Sequence, residues 1–594
     1  MEKALLRSEI AAEDKWRVED IYESDGVWEA DYNKCLTAAD EENIYQGRLD
    51  ESAEIIYEAL KESDETDMLI ERVYVYAFMK YYEDTSNPKY QEMSGRAQMA
   101  MVKLSEKYAF LVPELLEIED TRMKEFLESP ELKLYRHELE DMLSKKKHSL
   151  SEKEERLLAM AEQIASAPNE IFSKFNNADV KFGNVLDEDG REIELTNARY
   201  SVLMESSVRS VRKEAFESLY RQYGNYRNTL AAAYYANIKQ AMFYAKARNY
   251  GSTLEMYLSG SFIPVSVYDN LIETVNDNLD KMHDYVALRK RELGVSELHF
   301  YDIYAPMVPD VKLNVSYEEA KEIAVKALAP LGEDYVSKIK EGFESGWVDV
   351  RENAGKRTGA FSWGTYGVHP YVFLNYSDTL NDVFTLVHEM GHAMHTYYSN
   401  AGQPYVYAGY RIFVAEVAST CNEAILIKYL LDKCKDKSER KYLINHYLEQ
   451  FKGTLFRQTM FAEFERTTHR MAEEGEVLTA ETLCDIYRKL NEKYFGPDMV
   501  IDDEIALEWS RIPHFYTPFY VYQYATGFSA AISISSKILK GDKVTLEGYK
   551  RFLSGGSSMH PIELLKLCGV DMSNPQVIQE ALDVFGGLLE EWDN

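Results

Sequence analysis

Two histidines four residues apart flank a glutamate in the run His388-Glu389-Met390-Gly391-His392. On a helix, residues i and i+4 share a face, so both imidazoles can reach one metal ion. Zinc takes such nitrogens at about 2.0–2.1 Å in tetrahedral geometry. Glu389 lies about 100° around the helix from His388, beside the metal rather than on it. There a carboxylate can act as general base toward water, which is the chemistry of metal-assisted hydrolysis. The residues before it, Leu380 to Val387, carry helical apolar spacing, and Thr379 with Asp382 resembles an N-cap with an acidic third position. Gly391 costs about 1 kcal/mol against Ala inside a helix. Close approach of another backbone would compensate.

A catalytic zinc site needs a third protein ligand. His395 lies seven residues after His388, about 10 Å along the axis, too far to share one metal on a straight helix. It reads as a packing or hydrogen-bonding residue. Position 398, where a third histidine would stand in a longer metal-binding pattern, is Tyr398. The better candidate is Glu416, set among Phe413, Val414, Ala415, Val417 and Ala418 on a second predicted helix. A carboxylate in such surroundings needs a cation, because an unpaired buried charge is costly. Glu423 lies on nearly the same face. It either orients a ligand imidazole or is an exposed helical glutamate.

Residues 511–527 form a tyrosine-rich stretch. Thr517-Pro518 predicts a helix start with Pro at the first helical position. Tyr520 and Tyr524 then share one face and Tyr522 points elsewhere. His514 and Tyr516 fall in the preceding loop. Phenol and imidazole donors can stabilise the oxyanion formed when water attacks a carbonyl. An aromatic core stripe is the alternative, and it is preferred for Tyr522.

Together these segments resemble the thimet oligopeptidase-type zinc peptidases, most closely the oligoendopeptidase F branch. The matching runs are Phe384 to His395, Phe413 to Thr420, and His514 to Ala525. Lys15 to Tyr22 resembles the family's opening. Leu553 to Ser557 and Pro561 to Leu565 resemble its close, so the likeness covers nearly the whole chain. It implies a mainly α protein of two lobes enclosing a deep channel, with a small β-hairpin or sheet near the zinc helix. It implies zinc-dependent endopeptidase action on short peptides. Carried over, His388, His392 and Glu416 would hold one Zn2+ per chain and Glu389 would be the base. His514 and a tyrosine would stabilise the transition state. Tyr516, Tyr520 and Tyr524 compete for that role, with Tyr520 first.

Composition narrows the partners. Net charge is −33, from 67 basic and 100 acidic residues, the wrong sign for nucleic acid or an anionic membrane. A solvated acidic surface accounts for it; attraction of cationic peptides is the alternative. Cys35, Cys421, Cys434, Cys484 and Cys568 are scattered, as reduced thiols of a cytoplasmic protein would be. Met1 to Glu9 lacks a signal-peptide apolar core. No run approaches the ~20 apolar residues of a membrane span. A monomer or weak homo-oligomer is expected.

Along the chain, an N-terminal helical region (1–115) is followed by a helical lobe ending in a hairpin (116–198) and a catalytic domain (199–594). Residues 1–175 read as helical, with turns at Asn87-Pro88 and Val112-Pro113. Asp187-Glu188-Asp189-Gly190 between Val180–Leu186 and Arg191–Leu195 signals a β-hairpin. A loop is expected around Pro306 and Pro309. Tyr371 to Tyr376 reads as a strand just before the zinc helix. A strand there could hold an extended peptide by backbone pairing, with Gly359-Ala360 and Gly364 leaving room for it. Two other functions fit the motif: an exopeptidase trimming C-termini, or a peptide-binding protein with structural zinc, which would not need Glu389. Cobalt or manganese could replace zinc.

Overall fold

Serine and asparagine caps start the long helices of the N-terminal region. Ser24 and Ser52 accept hydrogen bonds from the Val27 and Ile55 N–H groups, opening α1 (Asp25–Asp40) and α2 (Ala53–Glu83). Asn87 caps α3 (Pro88–Tyr108), and Pro88 stands at its start, where a missing N–H has no partner to lose. Pro113 lies in the first turn of the helix Leu111–Glu117 for the same reason. The prolines read as turns thus mark helix starts. The computed structural model describes residues 5–308 and 314–593. Met1 to Ala4 and Pro309, read above, lie outside the described residues. About 70% of the chain is helical, so the fold is mainly α and its few strands serve local purposes.

Among the described residues, seven short strands form three small sheets. β1 (Asn184–Leu186) and β2 (Glu192–Glu194) make the expected antiparallel hairpin, with Gly190 at φ 75° in its turn. β3 (Leu298–His299) pairs in parallel with β7 (Met499–Val500). The third sheet has the order β4-β6-β5, built from β4 (Val348–Asp349), β5 (Phe361–Trp363) and β6 (Tyr371–Phe373). β6 runs parallel to β4 and antiparallel to β5.

The chain divides into two units, each assembled from three stretches. The first comprises Met1–Ser149, Leu313–Leu426 and Ile534–Gly569; the second comprises Leu150–Lys312, Ile427–Ser533 and Val570–Asn594. In the first unit, α1, α2 and α3 pack with Trp16, Tyr371 and Phe373 into one apolar cluster. Trp16 and Phe373 have ring centroids 5.2 Å apart, and Phe361 stacks on Phe373 at 4.7 Å. Beneath the sheet, fully buried Asp349 binds Arg7 and accepts from Lys356 Nζ at 2.6 Å. Two cations around one carboxylate offset the cost of burying it. The network anchors the N-terminal segment to β4. The second unit holds the tyrosine-rich stretch and its own buried anion, Asp302, gripped by Arg209 and Arg212 at 2.7 Å each. No described helix is long and apolar enough to cross a membrane.

Candidate active site

The motif helix, α4 (Leu380–Gly402), starts at Thr379. The Thr379 hydroxyl accepts from the Asp382 N–H at 3.2 Å, and Asp382 accepts from the Thr379 N–H at 2.9 Å. This reciprocal box sets where the helix begins and hence the rotation of His388 and His392. Glu416 and Glu423 stand on α5 (Ile412–Lys433). The two helices touch at Gly391: a Cβ built there would lie 2.5 Å from Ser419 Cα and 2.8 Å from Ser419 N. Only glycine permits so close an approach, which accounts for its helix-interior position. Buried Asn422 completes the junction, donating to the Val387 carbonyl at 3.3 Å and accepting from the Tyr335 hydroxyl at 3.0 Å.

The approach brings His388, His392 and Glu416 together. Glu416 Oε2 lies 3.5 Å from His388 Nε2 and 3.8 Å from His392 Nε2. Donors on a tetrahedral ion with bonds of about 2.1 Å stand roughly 3.4 Å apart. The three residues therefore fit one zinc ion. Their free nitrogens are already assigned. His388 Nδ1 bonds Glu423 at 2.6 Å, leaving Nε2 toward Glu416. The Ala415 carbonyl accepts from the His392 ring. Electrostatics agree with a cation site. Burial works against a charged His388, yet Glu423, Glu389 and Glu416 outweigh it and raise the imidazole to about 9. Burial and the neighbouring His388 hold His392 down to about 3.

Glu389 is buried beside this cluster and accepts from the Ser362 backbone N–H on β5. Burial, reinforced by Glu416 and Glu423, pushes its carboxyl up to about 7. β5 is one of the two edge strands of its sheet, β4 being the other. The strand expected to pair with a peptide, at Tyr371–Tyr376, contains β6, which is flanked by β4 and β5 and has no open edge. The edge strand beside Glu389 is β5 instead. His395 is buried and stacks on Tyr410 at 3.7 Å.

A second group, His137, Asp141 and His560, also brings its donor atoms within 4.8 Å of one another. Asp141 there already bonds His560 Nε2 at 2.7 Å and Arg411 Nη2 at 2.8 Å. It is an ion-pair tie with its charge already balanced.

In the second unit the predicted helix start at Thr517-Pro518 is displaced. Phe519 has φ 56°, which no helix can contain, and α7 begins only at Tyr522 (Tyr522–Leu539), after α6 (Arg457–Glu473) in chain order. Tyr520 is therefore in the preceding turn. It still meets Tyr524, at 5.5 Å between ring centroids. His514 lies 6.0 Å from Tyr520 and 6.1 Å from Tyr524, so the three rings form one cluster. Tyr516 is elsewhere, stacked on Phe172 at 4.4 Å, and Tyr522 packs on Tyr268 at 5.0 Å in the core. Glu465, whose carboxyl accepts from the Phe519 N–H, was not anticipated. Like Glu416, it is a glutamate among apolar residues, in the run Met460-Phe461-Ala462-Glu463-Phe464-Glu465.

A helix-borne His-Glu-x-x-His pair meeting a glutamate from a second helix defines a metallopeptidase centre. Residues 202–584 match peptidase family M3, and residues 114–182 match the oligopeptidase F model. The oligopeptidase PepF of Bacillus subtilis is 48% identical over 99% of this chain and 88% of its own length. The chromosomal oligoendopeptidase F of Lactococcus lactis subsp. cremoris is 43% identical over 98% of both chains. The crystal structure of oligoendopeptidase-F from Enterococcus faecium superposes with a TM-score of 0.74 at 39% identity, covering 96% of this chain and 98% of that one. The chain belongs to peptidase family M3, as a metallo-endopeptidase of the oligoendopeptidase F type.

Proposed function

We propose that this chain hydrolyses internal bonds of short oligopeptides with one zinc ion held by His388, His392 and Glu416. The observation that carries the reading is the convergence of those three donors, with His388 oriented by Glu423 and with Glu389 alongside. When bound, zinc supplies Lewis acidity, lowering the pKa of water and polarising a carbonyl. Glu389 takes a proton from the attacking water at a carboxylate oxygen. It then returns that proton to the departing amine nitrogen as the C–N bond breaks. His514 and Tyr520 donate hydrogen bonds to the oxyanion, with Tyr524 packed against both. β5, an edge strand beside Glu389, gives an extended peptide backbone a place to pair. Short soluble peptides, a cytoplasmic setting and a monomer or weak homo-oligomer complete the reading.

The test is hydrolysis of an internally quenched peptide of about nine residues with blocked ends, roughly 30 Å long when extended. It is run before chelation, after chelation, and after zinc add-back. Internal cleavage that disappears and returns supports the proposal. Trimming of free ends alone would move the assignment to an exopeptidase, and a metal-loaded but inert protein would remove the catalytic reading.

A further inference from the structure

Phe519 holds a backbone conformation that its side chain disfavours. Its φ of 56° lies in the left-handed region, which residues other than glycine rarely adopt. Something must hold it there. The Phe519 N–H donates to Glu465 Oε1 at 2.9 Å inside the second unit. Glu465 is fully buried, and its other oxygen has no hydrogen-bond partner among the described residues. Burial pushes its carboxyl up to about 8, which keeps it a neutral acid at neutral pH.

One helical turn on, His469 grips the same residue. Its ring centroid lies 4.5 Å from that of Phe519, and it is 1% exposed. The Thr253 hydroxyl donates its single proton to Glu473 at 2.8 Å, so at 2.9 Å it accepts from His469 Nδ1–H. His469 Nε2 is left bare and has no partner among the described residues. Glu465 and His469 are four residues apart on α6 and share a face. The Phe519 ring also meets Tyr268 at 5.8 Å and Tyr257 at 6.0 Å. Backbone and ring are thus clamped from separate sides.

The clamp decides where Tyr520 goes. With Phe519 helical, α7 would begin near Pro518 and carry Tyr520 one turn before Tyr524. With Phe519 left-handed, the chain reverses before the helix and Tyr520 is laid parallel to His514, at an interplanar angle of 4°. We propose that Glu465 is a positioning residue for peptide hydrolysis: its carboxyl oxygen holds Phe519 in the conformation that sets Tyr520 against His514 and Tyr524. This rests on the reading that those rings serve the oxyanion.

The experiment measures kcat, KM, zinc content and circular dichroism for the parent, Glu465→Gln, Glu465→Leu, Tyr520→Phe and the Glu465→Leu/Tyr520→Phe double variant, on the blocked quenched peptide. The glutamine oxygen still accepts the N–H, so Glu465→Gln should keep kcat within about twofold of the parent. Glu465→Leu should lose roughly tenfold or more in kcat, with KM within about threefold and zinc unchanged. In the Tyr520→Phe background the same change should cost less than about twofold, because both act on one interaction. Parent-like kcat in Glu465→Leu, equal losses in the Gln and Leu variants, full-rate Tyr520→Phe, or multiplicative losses in the double variant would each overturn the proposal.

A parent that cleaves without metal, or not at all, would strike instead at the zinc-peptidase reading. Amide hydrogen exchange of the parent then still decides the clamp, and it also decides if Glu465→Leu does not fold. The Phe519 amide lies in a turn, yet it should exchange as slowly as core helix amides. Exchange as fast as surface-loop amides would overturn it.

Discussion

Three carboxylates face His388, and their surroundings give them different work. Glu416 points at both imidazole nitrogens, Glu423 bonds the far side of one ring, and Glu389 is buried and accepts from the Ser362 backbone. Replacing Glu389 by Gln keeps the volume and removes the base. We expect kcat to fall by roughly two to three orders of magnitude, the scale of a lost general base, with about one zinc per chain retained. Metal analysis beside steady-state kinetics checks this, and near-parent turnover would exclude Glu389 as base. Glu423→Ala should act differently. It frees His388 to rotate and should weaken zinc affinity about 10- to 100-fold, as read by competition with a chromogenic chelator. Unchanged affinity would mean that Glu423 orients nothing. At this scale the sequence was most legible where the relation is local. His388 and His392 needed only helical spacing; Glu416 was singled out as a buried charge, whereas its side chain is 34% exposed and it is the meeting with both imidazoles that marks it. Glu465 was missed although the same reasoning covered it, because its partner is a backbone N–H 54 residues away.

Between elements, the decisive contact is the crossing of α4 and α5 at Gly391. Adding one methyl group there drives it into the Ser419 backbone at 2.5 Å. Backbone cannot swing aside as a side chain can, so Gly391→Ala should separate the helices and cost about 1–3 kcal/mol, as overpacking does. It should also loosen zinc, since His388 and His392 ride on one helix and Glu416 on the other. Denaturation together with zinc retention through dialysis tests both effects; a variant with normal stability and normal metal content would contradict the packing argument. The glycine's cost in a helix already suggested a close neighbour, but which backbone approaches is a tertiary fact. Strand order was likewise hidden. Tyr371 to Tyr376 reads as a strand, yet only the pairing shows that β6 is enclosed between β4 and β5.

Across the whole molecule, two units interleave along one chain, and both neutralise a buried carboxylate with two cations, Asp349 with Arg7 and Lys356 and Asp302 with Arg209 and Arg212. Glu465 differs, being held by a backbone N–H. This has a pH signature. The ordinary glutamate value is 4.5, and the folded value is pushed up to about 8. Between these the folded chain keeps a proton that the unfolded chain has released. The stabilisation is therefore present below about 4.5 and is lost as pH rises toward about 8. Tyr234, Tyr257 and Tyr268 face Glu465 but are themselves raised, and His469 is held down to about 3, so none titrates in that window. Urea unfolding at several pH values should show the parent losing stability relative to Glu465→Gln across this range. Parallel curves would mean that Glu465 titrates normally.

What the sequence alone determined was the helical class, the hairpin at Asp187–Gly190 and the helix that carries His388, Glu389 and His392 on neighbouring faces. These follow from short-range periodicity and turn chemistry, which need no knowledge of where the chain returns. The tertiary structure decided the rest. It set α5 on Gly391, gave Glu423 to His388, and laid Tyr520 beside His514 through a left-handed Phe519. Each of these depends on a contact between segments distant in sequence, and a strained backbone is invisible in a pattern of side chains until the group that holds it is found.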